Sequence, residues 1–295
     1  MLGVTADDPA PEAPREPGVR LVLRPSLAEP DPGPSAARPA RVAPTHAVVL
    51  AGGLGTRLRP YTLHSPKPLV TLDEYAILEV ILRQLRAAGI TRVSLAISYL
   101  GSMIEEAMGD GSRFGLTVDY YVDPQPLGTA GPLTLVPDWS EPVLVLNADI
   151  LTLLDFGELY AAHLASGAVL TVAVHVTENP LGQGLVSIAE GRVVDLWEKP
   201  RLELDVCAGI YVVSAEARSM IPTGTRFDMT ELVRRLVAEG LPVGAHRFRD
   251  EWYDIGTPTG LVRARRSFVE RRSAYLRETP SPAPDPRRSE EVRHG

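Results

Sequence analysis

The chain has 295 residues, 44% of them hydrophobic and 23% charged, with a formal net charge of −7. That balance supports a buried core and excludes general nucleic-acid binding, which calls for a basic face, so an anionic ligand must be met by local positive groups. One cysteine, Cys207, leaves no intrachain disulfide or cysteine-based zinc site; with no apolar run near the ~20 residues of a membrane span and no basic-then-apolar leader in MLGVTADDPAPEAP, a cytoplasmic protein without a membrane partner is expected.

Ten prolines fall in residues 1–44 and four more between Pro280 and Pro286. These segments hold too few large apolar side chains to offset the entropy of ordering, so tails at 1–44 and 277–295 are expected to be disordered. The stretch RLVLRPSL at 20–27 is the one part of the first tail with a strand-like pattern. A single folded domain is expected over residues 45–276.

Within it, THAVVL (45–50) reads as a strand with turn chemistry behind it. Residues 77–88 place Ile77, Leu78, Ile81, Leu82 and Leu85 on one helical stripe, stopped by Gly89. Further strands are read at 92–98, 116–122 and 142–149, with helical or loop segments between. After Asp155 a helix runs to about Ala165. Strands then follow closely at 168–174, 184–188, 192–198 and 206–213, a spacing that suggests an antiparallel or mixed portion. Helices are read at 228–239 and from Thr257 to about Leu276. The alternation predicts an α/β fold: a Rossmann-like mixed, mostly parallel sheet flanked by helices. No hexapeptide repeat is present, so no C-terminal β-helix domain is expected. Ligands of open α/β sheets bind outside the carboxyl ends of the strands, which puts the segments after the first strand and after VLVLNAD in one cleft.

The segment LAGGLGTRLRPYTLHSPKPLV, Leu50 to Val70, is the first candidate for chemistry. A dinucleotide fingerprint needs a third glycine where Leu58 stands, and Pro60, Pro66 and Pro68 break the helix that must open there. A P-loop needs G-K-[ST], which is absent. What remains is glycine-rich backbone followed by Arg57, Arg59 and Lys67. Glycines let backbone N–H groups approach an anion closely and donate to it, and an arginine fork grips phosphate. On this segment alone, a phosphate cradle and a solvated surface loop stand level. The cations favour the cradle: of 30 basic residues 28 are arginine, and the two lysines, Lys67 and Lys199, sit in SPKPLV and LWEKPR. Lysine is a compact mobile charge that follows a phosphate as its geometry changes.

With these residues in view, the chain resembles the sugar-1-phosphate nucleotidyltransferases, or NDP-sugar pyrophosphorylases, over about residues 46 to 260. LAGGLGTRLRPYTLHSPKPLV is similar to the family's nucleotide-binding signature. EKPR (198–201) is similar to its sugar-phosphate motif, and NADI (147–150) and EWYDIGTP (251–258) to its metal-aspartate segments. PQPLGTAGPL (124–133) and, more loosely, FDMTEL (227–232) look most like the mannose-1-phosphate guanylyltransferase branch. LDEYAILE (72–79) departs from that branch, which commonly has a basic residue and proline there.

The resemblance implies attack of a sugar 1-phosphate oxygen on the α-phosphorus of an NTP, with pyrophosphate leaving. GTP with mannose 1-phosphate or a heptose 1-phosphate is the first expectation; UTP or dTTP with glucose 1-phosphate is the alternative. It implies that Leu50, Ala51, Gly52, Gly53, Gly55 and Thr56 cradle the nucleotide and that Arg57 clamps the outer phosphates. Lys67 would bridge the α-phosphate and the departing pyrophosphate. Gly128 would let the base lie close to backbone, and Gln125 would contact it. Lys199 would hold the sugar phosphate and Glu198 the sugar hydroxyls, with Gly184, Ala208 and Gly209 lining the pocket. Asp149 and Asp254 would hold Mg²⁺, which suits few carboxylates plus phosphate oxygens and water. Read alone, Asp149 could instead cap a helix and Asp254 stabilise a turn. The family also implies a homo-oligomer, a dimer or tetramer.

Two other functions fit parts of the pattern. A metal-dependent glycosyltransferase would use NAD at 147–149 but has no need of a triphosphate-gripping GLGTRLRP. A non-catalytic nucleotide-sugar-binding regulatory subunit would be expected to have lost a lysine or aspartate, and this chain keeps all four. Trp139 and Trp197 are read as packing residues, and Cys207 as a small buried hydrophobe.

Overall fold

A computed structural model describes residues 43–137 and 139–277. The tails and the 20–27 segment fall outside the described residues, apart from the junction positions 43, 44 and 277. The strands, in chain order, are β1 (His46–Leu50), β2 (Thr71–Leu72), β3 (Tyr75–Ala76), β4 (Arg92–Ile97), β5 (Thr117–Val122), β6 (Val143–Asn147), β7 (Ile150–Thr152), β8 (Leu170–Pro180), β9 (Leu185–Ala189), β10 (Arg192–Trp197), β11 (Arg201–Val213), β12 (Val243–Phe248) and β13 (Trp252–Asp254). The helices are α1 (Ile77–Ala87), α2 (Gly101–Met108), α3 (Phe156–Ser166), α4 (Ala215–Ser219), α5 (Met229–Ala238), α6 (Pro258–Glu270) and α7 (Arg272–Tyr275).

Seven strands make one sheet in the order β12-β8-β11-β6-β1-β4-β5. β6, β1, β4 and β5 run parallel, β11 is antiparallel to β6, and β12 is parallel to β8. This is the mixed, mostly parallel sheet that the alternation predicts. The central strands bury both faces, so their side chains divide by parity between two cores. Ala47 and Val49 of β1, Leu144 and Leu146 of β6, and Ile210 and Val212 of β11 pack in the core that contains α1 residues Ile77, Leu78, Ile81, Leu82 and Leu85. Val48, Val145, Tyr211 and Val213 pack in the other core, with Leu232 and Leu236 of α5. Each such aliphatic side chain removed from water stabilises the fold by about 1.5–3 kcal/mol.

The C-terminal helix and Cys207 differ from expectation. The helix read over 257–276 breaks at Arg271 (φ −130°, ψ 30°) into α6 and α7. The break brings the Tyr275 hydroxyl to 2.6 Å from Glu251 Oε2, which also accepts the Ser267 hydroxyl of α6, while Arg271 pairs with Glu251 Oε1. Cys207, expected to be buried, is exposed. Along β11 both faces are covered only from Ala208 onward; at Asp205 and Cys207 one face is open. The Cys207 sulfur lies 3.2 Å from the Tyr211 hydroxyl.

Among the described residues, Glu178–Leu204 gather into a compact unit distinct from residues 43–177 and 205–277. Its centre is the β9–β10 antiparallel ribbon. Cross-strand partners Val186 with Leu196 and Ile188 with Val193 share one face of that ribbon, and all four are exposed.

Candidate active site

The larger unit carries an open cleft of about 420 Å³, within the usual range for small-molecule sites. Leu50, Ala51, Gly53, Gly55, Thr56 and Arg57 line it together with Lys67 and Asp149. Eight expected residues, seven from the 50–70 segment and Asp149 from NADI, thus meet in one place. They meet because β1 and β6 are parallel neighbours, with Leu50 in register with Asn147. The chain therefore leaves both strands at the same sheet edge.

After β1 no helix forms at once. The backbone runs irregularly to a single 3-10 turn at Thr56–Leu58, then through the proline-rich stretch to a second at Lys67–Leu69. Gly55 adopts φ +61°, and a Cβ there would stand 2.9 Å from Thr62 Cγ2. Thr62 is buried and donates its hydroxyl to Gly55 O at 2.7 Å, which pins the loop. Gly52 lies behind the cradle: its carbonyl accepts the Ser98 hydroxyl at 2.5 Å.

Lys67 is held between Pro66 and Pro68, so its backbone has little freedom to lose. Its side chain is only 10% exposed, and its ammonium pairs with Asp149 Oδ2. A buried ammonium without a partner would cost several kcal/mol, so the carboxylate keeps the charge at its post. Asp149 does not cap a helix: Asp155 does so for α3, accepting the N–H groups of Gly157 and Glu158.

Asp254 arrives by a route the sequence did not reveal. β7 and β13 form a short antiparallel ribbon with Asp254 opposite Ile150, and the Ile255 N–H donates to the Asp149 carbonyl at 2.9 Å. The two aspartates, 105 positions apart by number, are therefore neighbours. Asp254 Oδ1 accepts the Gly256 N–H at 2.7 Å, so it stabilises a turn while its backbone lies beside Asp149. Gly256 lines the cleft, and the position a Cβ would take there is 3.3 Å from Arg57 Nη2.

Thr129, Asn147 and Gly256 line the cleft but were missed from sequence. Asn147 and Gly256 lie within the quoted NADI and DIGTP motifs, and Thr129 follows Gly128, so adjacency was the available clue. Asp123, also missed, sits behind the cradle with Oδ2 3.6 Å from the Cβ position of Gly52 and Oδ1 buried without a partner. Burial pushes its carboxyl up to about 6, against the pull of the Leu127 backbone N–H.

Other expected residues lie elsewhere. Gln125 is exposed and donates to Gly224 O at 3.0 Å. The Cβ that Gly128 lacks would meet Asp228 Oδ1 at 2.6 Å and Phe227 O at 2.7 Å, at φ +79°. This glycine makes room for the protein's own chain. Ala208 and Gly209 are buried on β11; the Ala208 carbonyl accepts the Trp252 indole N–H, and the Gly209 Cβ position is 2.6 Å from Asn147 Nδ2. Gly184, Glu198 and Lys199 belong to the smaller unit, where the Cβ position of Gly184 is 3.5 Å from Glu198 Oε2. Lys199 has φ +45° and is 67% exposed, with Glu198 Oε1 at 3.9 Å.

The nucleotidyl transferase family profile matches residues 46–271, most of the chain. Mannose-1-phosphate guanylyltransferase of Mycobacterium tuberculosis is 34% identical over 256 residues, which cover 84% of this chain and 69% of that protein. UTP–glucose-1-phosphate uridylyltransferase of Synechocystis is 30% identical over 246 residues, 76% of this chain and 63% of that protein. Among solved structures, HddC of Yersinia pseudotuberculosis shares the fold with a TM-score of 0.61 at 24% identity, covering 76% of this chain and 99% of that one. The chain belongs to the nucleotidyl transferase family, among its sugar-1-phosphate nucleotidyltransferases.

Proposed function

We propose that this protein joins GTP to mannose 1-phosphate, or to a related heptose 1-phosphate, and releases pyrophosphate. The observation that carries the reading is the cleft itself: a glycine-rich backbone, Arg57 and the Lys67–Asp149 pair converge there, beside Asp254. This is apparatus for a polyphosphate. The guanylyl and mannosyl choice is supported by the relative from M. tuberculosis and by PLGTAG at 126–131.

In this reading the sugar phosphate oxygen attacks the α-phosphorus in line with the departing pyrophosphate, and no protein nucleophile is required. Arg57 grips the outer phosphates through its planar fork. Lys67 stands where negative charge builds between the α-phosphate and the leaving group, already desolvated and aimed by Asp149. Lys199 and Glu198 receive the sugar phosphate and hydroxyls. Asp149 and Asp254 fit a hard cation, because they offer oxygen donors alone and are tied through the Ile255 N–H. Mg²⁺ held by them would neutralise phosphate charge.

A matrix of GTP, ATP, UTP and dTTP against mannose, glucose and heptose 1-phosphates tests the proposal through pyrophosphate release. Fastest turnover is expected with GTP and mannose or heptose 1-phosphate. Preference for UTP or dTTP with glucose 1-phosphate overturns the specificity and favours the second reading, which the Synechocystis relative supports. Absence of release across the whole matrix overturns the reaction and favours a glycosyltransferase or a binding subunit.

A further inference from the structure

The segment 126–131 is stitched to the start of α5 more tightly than a surface loop requires. Phe227 N–H donates to Leu127 O, and Phe227 O receives the N–H groups of Ala130 and Gly131, all at 2.9–3.0 Å. Asp228 Oδ1 accepts the Thr129 N–H at 2.9 Å and the Thr129 hydroxyl at 3.3 Å. Thr129 Oγ1 in turn accepts the Met229 N–H at 2.8 Å, so a residue from a distant loop satisfies the first helical donor of α5. Asp228 and Glu231 form the helix's own capping box, with the Asp228 N–H on Glu231 Oε2 at 2.6 Å. One carboxylate thus serves two structures, a helix start and a loop whose Thr129 lines the cleft. The close fit at Gly128 described above leaves no slack in this joint.

The geometry points to Asp228 as a positioning residue that fixes Thr129 at the cleft and so sets nucleotide affinity and base discrimination. The inference rests on the proposed nucleotide site. Asp228 touches no reacting group; it acts through Thr129, so it governs binding more than the chemical step. A helix cap alone would affect stability without changing KM, and this separates the two roles.

The test compares three full-length variants by steady-state kinetics and thermal melting. Asp228→Ser keeps a good capping side chain for α5 but is too short to hold Thr129. It is expected to raise the KM for the preferred NTP about tenfold, leave kcat within about twofold, and narrow the preference among bases. Asp228→Asn restores an acceptor of the right length and is expected to return KM to within about twofold. Glu231→Ala removes only the capping-box acceptor, lowering Tm while leaving KM unchanged. If Asp228→Ser leaves KM unchanged, or Glu231→Ala raises it equally, the assignment is overturned. Should Asp228→Ser fail to fold, Gly128→Ala pushes the loop off Asp228 from the other side, and an unchanged KM there overturns the assignment equally. A wild-type protein that prefers UTP would defeat the GTP reading yet leave this test intact, with KM read for UTP.

Discussion

The two lysines of this chain occupy opposite physical situations. Lys67 is buried beside Asp149, flanked by prolines, in a cleft whose walls come from three strand ends. Lys199 projects from the smaller unit, two-thirds exposed, on a left-handed backbone that side chains rarely adopt. Its acidic neighbour Glu198 is 3.9 Å away and itself 72% exposed. The first lysine is a charge already desolvated and aimed, so an interaction with phosphate, as proposed, would be strengthened in a low-dielectric place. The second keeps its hydration, so its attraction for an anion is screened by salt and weaker at rest. Buried and exposed charges of one chemical type should therefore fail in different ways.

The largest effect is expected on the buried side. Lys67→Ala should lower kcat at least ~100-fold, the scale of losing a preorganised charge at a transferring phosphoryl group. Near-normal turnover in pyrophosphate release would remove Lys67 from the chemical step. Asp254→Ala should cost a similar ~100-fold and raise the Mg²⁺ concentration needed for half-maximal rate. An unchanged Mg²⁺ titration would assign Asp254 to its turn with Gly256 alone.

Lys199→Ala should act mainly on the sugar phosphate, raising its KM about tenfold, the scale of one charge-assisted contact. In the wild type, that KM should climb with added salt more steeply than kcat falls. Equal loss in kcat for Lys67→Ala and Lys199→Ala would erase the proposed distinction between the two.

The smallest effect concerns the wall behind the cradle. Asp123 keeps its proton in the folded state to about pH 6, against 3.8 for the ordinary group. The folded state therefore binds more protons in that window, and stability should fall as pH rises from about 4 to 6. Two pH units would correspond to about 2.7 kcal/mol, and water screening of this half-buried group reduces it to about 1. Asp123→Asn should raise Tm by about 2–4 °C at pH 7.5 and leave it unchanged near pH 4, as read by melting curves. A variant equally stable with wild type at both pH values would show the carboxyl to be solvated.

The strand and helix periods, the glycine and proline punctuation and the rarity of lysine were all written in the chain. They specified the α/β class and marked the segment 50–70 as a candidate phosphate site, while the resemblance of four separated motifs pointed to the family. These features are local, because apolar parity and proline geometry act over a few residues. Tertiary structure decided what depends on residues far apart. It brought Asp254 to Asp149 through the β7–β13 ribbon, put the missing side chain of Gly128 against Phe227 and Asp228, and turned Gln125 toward Gly224. It also left Cys207 exposed at the open end of β11, where periodicity within one strand cannot report which face a second layer covers.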